Sequence, residues 1–110
     1  MESRVSILGR EAGRVAAQVA HWTPARWHVH PDAAARRTRG DIMHGLVQEL
    51  ADLGAEAEGL PRHAVPRLPH DTVLADQLRV VTADLCAARP RETTVEAALS
   101  AVSRAHSALF

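Results

Sequence analysis

Lysine, asparagine and tyrosine are missing from this 110-residue chain, cysteine occurs once, and only Trp22, Trp27 and Phe110 are aromatic. All 13 basic residues are arginine, a bias that fits a GC-rich genome better than selection for a cationic surface. With 13 acids against them the formal charge is zero, so no long-range field draws the chain to nucleic acid or an anionic membrane. Three aromatic side chains are too few for a nucleic-acid stacking platform, and they leave the core to aliphatic residues. The lone Cys86 rules out an intrachain disulfide and a secreted disulfide scaffold; beside Leu85, with no basic neighbour, it reads as a small buried hydrophobe. No apolar run reaches membrane-spanning length. Glu2, Arg4, Arg10 and Arg14 break up any signal-peptide-like start, so a cytoplasmic location is expected. A phosphate loop, a Cys-x-x-Cys pair and a Ser/His/Asp order are all missing, which leaves no signature of nucleotide, redox or nucleophilic chemistry.

What is present is helical spacing. Apolar residues recur every three or four positions in four stretches. They are Val5, Leu8, Ala12, Val15, Val19 and Trp22; Met43, Leu46, Leu50, Leu53 and Ala57; Leu74, Leu78, Val81, Leu85 and Ala88; and Val95, Leu99, Val102, His106 and Leu109. Each stretch lays one apolar seam along a helix, which predicts an all-α, mainly up-and-down four-helix bundle occupying residues 1–110 as a single domain. The expected helices cover 3–20, 39–58, 72–88 and 94–109. Two further stripes are made of small residues: Gly9, Gly13, Ala16, Ala17 and Ala20 on the first helix, and Ala97, Ala101, Ala105 and Ala108 on the last. Small residues at that spacing admit a second backbone at close range, either within the bundle or from another copy of the chain.

Local chemistry sets the boundaries. Thr38 with Asp41 three residues on forms a capping box, and Gly59 stops the same helix. Thr23-Pro24 is an N-cap followed by proline, so Pro24 to Trp27 is expected to form one turn inside the long first loop, Trp22 to Arg37. Pro61, Pro66 and Pro69 keep the next connection extended. Asp71 or Thr72 is expected to cap the third helix, and Thr93 with Glu96 the fourth.

Several groups could carry chemistry. Antiparallel succession would gather His21, His28, His30 and His44 at one end of the bundle, enough imidazoles for a divalent transition metal, with His63, His70 and His106 at the other. His28-x-His30 cannot share a helical face, however, and His44 is followed one turn on by Gln48 rather than a second histidine. Arg36, Arg37 and Arg39 surround the start of the second long helix, where free N–H groups favour a phosphate or carboxylate; the alternative is a solvated loop neutralised by Asp32 and Asp41. Trp22 and Trp27 either wall a ligand pocket or plug the end of the bundle. Glu49, Asp52, Glu56 and Glu58 form an acidic strip that Arg4, Arg10 and Arg14 of the first helix could face.

The first helix, the Trp/Pro loop and the run Thr38-Arg39-Gly40-Asp41-Ile42-Met43-His44 together resemble the DinB-like bundles, which include thiol-dependent maleylpyruvate isomerases. The resemblance covers residues 5–55 and implies a metal-binding role for His44. The later histidine pair of that family has no counterpart here. The residues themselves favour a small non-enzymatic interaction or regulatory module that associates with itself or with a protein partner, binds no nucleic acid or membrane, and needs no cofactor. The alternative is a metal- or small-molecule-binding bundle of the DinB-like type.

Overall fold

The computed structural model describes residues 2–110, and the fold is all-α. Four long helices, α1 (Arg4–Val19), α3 (Arg39–Glu58), α4 (Leu74–Ala87) and α5 (Glu92–Leu109), are joined by a short α2 (Pro24–His28) and a 3-10 turn at Asp71–Val73. Three of the caps that the sequence announces are in place, one on α2 and one at each end of α3. The Thr23 side chain accepts the Arg26 N–H at the start of α2, Thr38 and Asp41 form a reciprocal capping box on α3, and Gly59 ends α3 in the left-handed region at φ 68°. Leu60 N–H then reaches the Ala55 carbonyl and Gly59 N–H the Glu56 carbonyl, a Schellman closure.

Two expected caps are not used. α5 begins at Glu92 with Arg91 as its N-cap, no side chain caps it, and the Thr93/Glu96 box does not form. The helix starts two residues earlier than expected, which places Thr93 inside its first turn. Asp71 and Thr72 do not cap α4 either; Asp71 is turned into an ion pair.

The seams bury a contiguous core of Leu8, Val15, Met43, Leu50, Leu78 and Leu85, with Val102 and Leu109 from α5. Each of α1 and α3 packs against both α4 and α5, so the four helices close a ring in which α1 faces α3, and α4 faces α5, across the diagonals. Residue contacts give the directions. The 3-10 turn before α4 meets the start of α3 through Asp71 and Gly40, and Leu85 meets Gly54, so α3 and α4 run parallel. Cys86 Sγ lies 3.9 Å from the Val5 carbonyl, which makes α4 antiparallel to α1. Arg4 pairs with Glu96 at 3.1 Å and Trp22 packs against Phe110, so α1 and α5 are parallel.

The succession is therefore up, down, down, up, and the mainly up-and-down expectation fails at the step from α3 to α4. Its cause is the proline-bearing segment 60–70, which returns along α3 instead of turning at the end of it.

The same topology redistributes the charges. Across the diagonal from α3, the arginines of α1 pair with Glu96, Glu2 and Glu11, while Glu49 takes Arg104 of α5 at 3.1 Å. The small stripes do not meet. Nothing lies within 4 Å of a Cβ built on Gly9 or Gly13, while Ala101 and Ala105 are buried in the core.

Candidate functional site

Segment 60–70 acts as a strap, and a polar stripe on α3 holds it. An extended chain pressed on a helix must satisfy its inward N–H and C=O groups from that helix's side chains. Gln48 does this with both ends of its amide. Its Nε2 donates to the His63 carbonyl at 3.0 Å and to Asp52 Oδ1 at 2.9 Å, and its Oε1 accepts the Val65 N–H at 2.7 Å. One turn earlier, His44 Nε2 donates to the Val65 carbonyl at 2.9 Å, a role fixed by the carbonyl's being an acceptor only.

Arg67 closes the strap. Its Nε and Nη2 donate to the two oxygens of Asp71 at 3.0 and 3.1 Å, and Nη1 donates to Asp41 Oδ1 at 3.0 Å. Asp41 also accepts the Thr38 N–H, and that bond, with Arg67 beside it, holds its carboxyl below the ordinary value. The two carboxylates in turn push the Arg67 guanidinium further up, Asp71 contributing most. Gly40 makes this closure possible, because a Cβ there would overlap Asp71 Oδ2 and sit 2.8 Å from Arg67 Nη2.

Between the strap, α3 and α4 lies a groove of ≈ 410 Å³. Leu50, Ala51 and Ala55 of α3, Val81 of α4, and Pro61 and Val65 of the strap give it aliphatic walls. Its polar lining comes from Glu58, His63 and Asp84. Neither the Glu58 nor the Asp84 carboxylate has an ion-pair or hydrogen-bond partner among the described residues. A cleft at the α5 N-terminal end is larger, ≈ 530 Å³, but Glu56, Glu58, Arg89 and Arg91 make it a charged surface.

The residues singled out by sequence fall elsewhere. Trp27 is 1 % exposed and plugs the bundle, with its indole N–H unpartnered. Trp22 is half-buried against Trp27 at 4.9 Å and Phe110 at 5.4 Å, under the guanidinium groups of Arg26 and Arg39. They form an aromatic plug and line none of the grooves described here.

His21, His28, His30 and His44 do not converge, and among the described residues no group of three histidine, cysteine or acidic side chains is placed to hold a metal. His21, His28 and His30 are exposed, and His44 is spent on the strap. The metal that the DinB-like resemblance implies at His44 thus does not fit this donor set. His106 stacks on Phe110 at 4.9 Å, and the strap brings His70 to the start of α3, so both lie at the Trp end rather than opposite it.

Arg36, Arg37 and Arg39 do not converge either. Arg36 is exposed, Arg37 leans toward Gly45, and Arg39 donates to the Leu109 and His30 carbonyls. The anion that the helix start favours is its own Asp41, while Asp32 binds the N–H groups of Ala34 and Ala35.

Sequence reasoning missed Gln48 and Arg67. The available signal was the polar row Asp41, His44, Gln48 and Asp52, spaced three and four apart beside the apolar seam of α3. Compared with family models, with curated proteins and with solved structures, the chain matches none.

Proposed function

We propose that the protein is a small non-catalytic binding module and that the groove beneath the strap is its binding element. The observation that supports this reading is the lining. Its walls are aliphatic, a few polar groups stand among them, and the volume of ≈ 410 Å³ lies at the lower end of the usual range for small-ligand sites, about 300–1,000 Å³. The polar contacts that fix the strap serve to hold these walls in place. We assign the module to the cytoplasm, in keeping with the single thiol of Cys86, which burial pushes up toward the protonated form.

The test is a titration of isotope-labelled protein with octanol, followed by amide chemical shifts. Shifts confined to residues 50–58, 60–66 and 81–84, and lost in Ala55→Leu, support the reading. Shifts scattered over the surface, or none, reject it.

A second reading, self-association through α1, has an observation of its own. Each helical glycine costs about 1 kcal/mol relative to alanine, and since a Cβ on Gly9 or Gly13 would meet nothing within 4 Å, no close approach inside one copy calls for glycine there. Sedimentation velocity tests it: a mass that rises with concentration in the native chain, but not in Gly13→Leu, supports association, and a monomer at all concentrations rejects it.

A further inference from the structure

We infer that the ligand class the groove selects is an apolar amine, a molecule with an aliphatic or aromatic body and one cationic head. This rests on the groove being a binding site and adds the sign of the ligand. The aliphatic walls take the body. For the head, the side chains that line the groove include two carboxylates, Glu58 and Asp84, and no arginine. Both acids lack an internal partner among the described residues, as do Glu56 and Glu92, but of these four only Glu58 and Asp84 line the groove.

The nearest basic side chains face other ways. Arg62 of the strap lines the opposite flank of α3 with Glu49, Asp52 and Arg104, and Arg67 is locked between Asp41 and Asp71. Arg89 borders the far-end cleft that Glu58 also touches, without forming an ion pair to it. The remaining polar lining group, His63, is anchored through its backbone carbonyl on Gln48, and its imidazole pairs with neither acid among the described residues. An anionic ligand entering this groove would thus meet two unneutralised carboxylates, and a cationic one would supply the charge they lack. Both acids are exposed, so their effect is a modest preference that falls with salt.

Octylamine, octanol and octanoate, each below its critical micelle concentration, share one body and differ in head charge. Titrated in low salt at neutral pH and read by amide shifts at residues 50–58 and 81–84, octylamine should bind about three- to tenfold more tightly than octanol, with octanoate weakest. Glu58→Gln combined with Asp84→Asn, both surface changes that leave the core untouched, should bring octylamine down to the octanol affinity and leave octanol itself unchanged. Equal affinities for octylamine and octanol, or tighter binding of octanoate, would overturn the amine assignment while leaving the groove a binding site. Failure of all three to shift these residues would overturn the assignment together with the binding-site reading.

Discussion

Gly40 turns the strap closure into a measurable sign. In most helical positions, replacing glycine with alanine stabilises by up to about 1 kcal/mol. At Gly40 the new Cβ would overlap Asp71 Oδ2, with Asp71 Cγ only 2.9 Å away, and Asp71 is 7 % exposed with both oxygens held by Arg67. The substitution therefore breaks or stretches the two Arg67 hydrogen bonds to a buried carboxylate, each worth about 1.5–3 kcal/mol. Set against the propensity gain, the expected loss is about 2–5 kcal/mol, a fall in Tm of roughly 10–20 °C. Gly9→Ala is the matched control: it meets nothing within 4 Å and should gain up to about 1 kcal/mol. Urea midpoints followed by circular dichroism at micromolar protein read both. In an Asp71→Ala background the cost of Gly40→Ala should vanish, because the clashing carboxylate is gone. A Gly40→Ala protein as stable as the native chain, or a cost that adds in full to that of Asp71→Ala, would refute the closure as described.

Trp27→Ala should cost about 3–5 kcal/mol and Trp22→Ala less, since Trp27 is 1 % exposed and Trp22 is half-buried; the reverse order of urea midpoints would reassign the plug. Arg89 holds a positive φ of 52° ahead of Pro90, so Arg89→Gly should gain about 1 kcal/mol, and a lowered midpoint would contradict the strain. Asp41's folded pKa is depressed, so the unfolded chain binds the proton first and stability rises with pH through that window. Its contribution is complete above the ordinary aspartate value of about 3.9 and disappears as pH falls through the lower folded value. Asp41→Asn should accordingly flatten the acid limb of a midpoint-against-pH curve, and an unchanged limb would remove Asp41 from the strap's acid sensitivity. Burial raises the Cys86 thiol, so alkylation at pH 8 should run slower than that of glutathione and match it only in denaturant.

The caps at Thr23, Thr38 and Gly59 were legible because each is decided within four residues: a side-chain oxygen facing an N–H, or a residue without a Cβ at a positive φ. The apolar seams were legible for the same kind of reason. The Thr93/Glu96 box failed because α5 starts at Glu92, after Pro90 and Arg91, so Thr93 already lies in the first turn and is not the N-cap. The candidate site was hidden further. Histidine and arginine drew attention as chemistry-bearing residues, yet His44 and Arg39 end on backbone carbonyls, a use that residue type does not announce. Gln48 read as the place where a histidine motif broke off; its actual role depends on what lies against it, which is a matter of topology.

That topology follows from a geometric requirement with few solutions. Parallel α3 and α4 oblige the chain to travel back along a helix of about 30 Å, a distance that residues 59–73 would miss as an α-helix of about 22 Å and cover with slack as an open chain, which reaches about 50 Å. Pro61, Pro66 and Pro69 forbid a helical return, so the backbone groups of the strap stay open and are met by the polar row of α3. An extended strand is thinner than a helix, about 10–12 Å across with its side chains, and cannot fill the valley between two packed helices. Only Val65 of the strap is half-buried in the core, while Leu60 and Leu68 are 56 % and 43 % exposed. The groove is thus what remains when a strap takes the place of a fifth helix, and Glu58 and Asp84 can stand there unpaired because none of the described residues arrives to neutralise them.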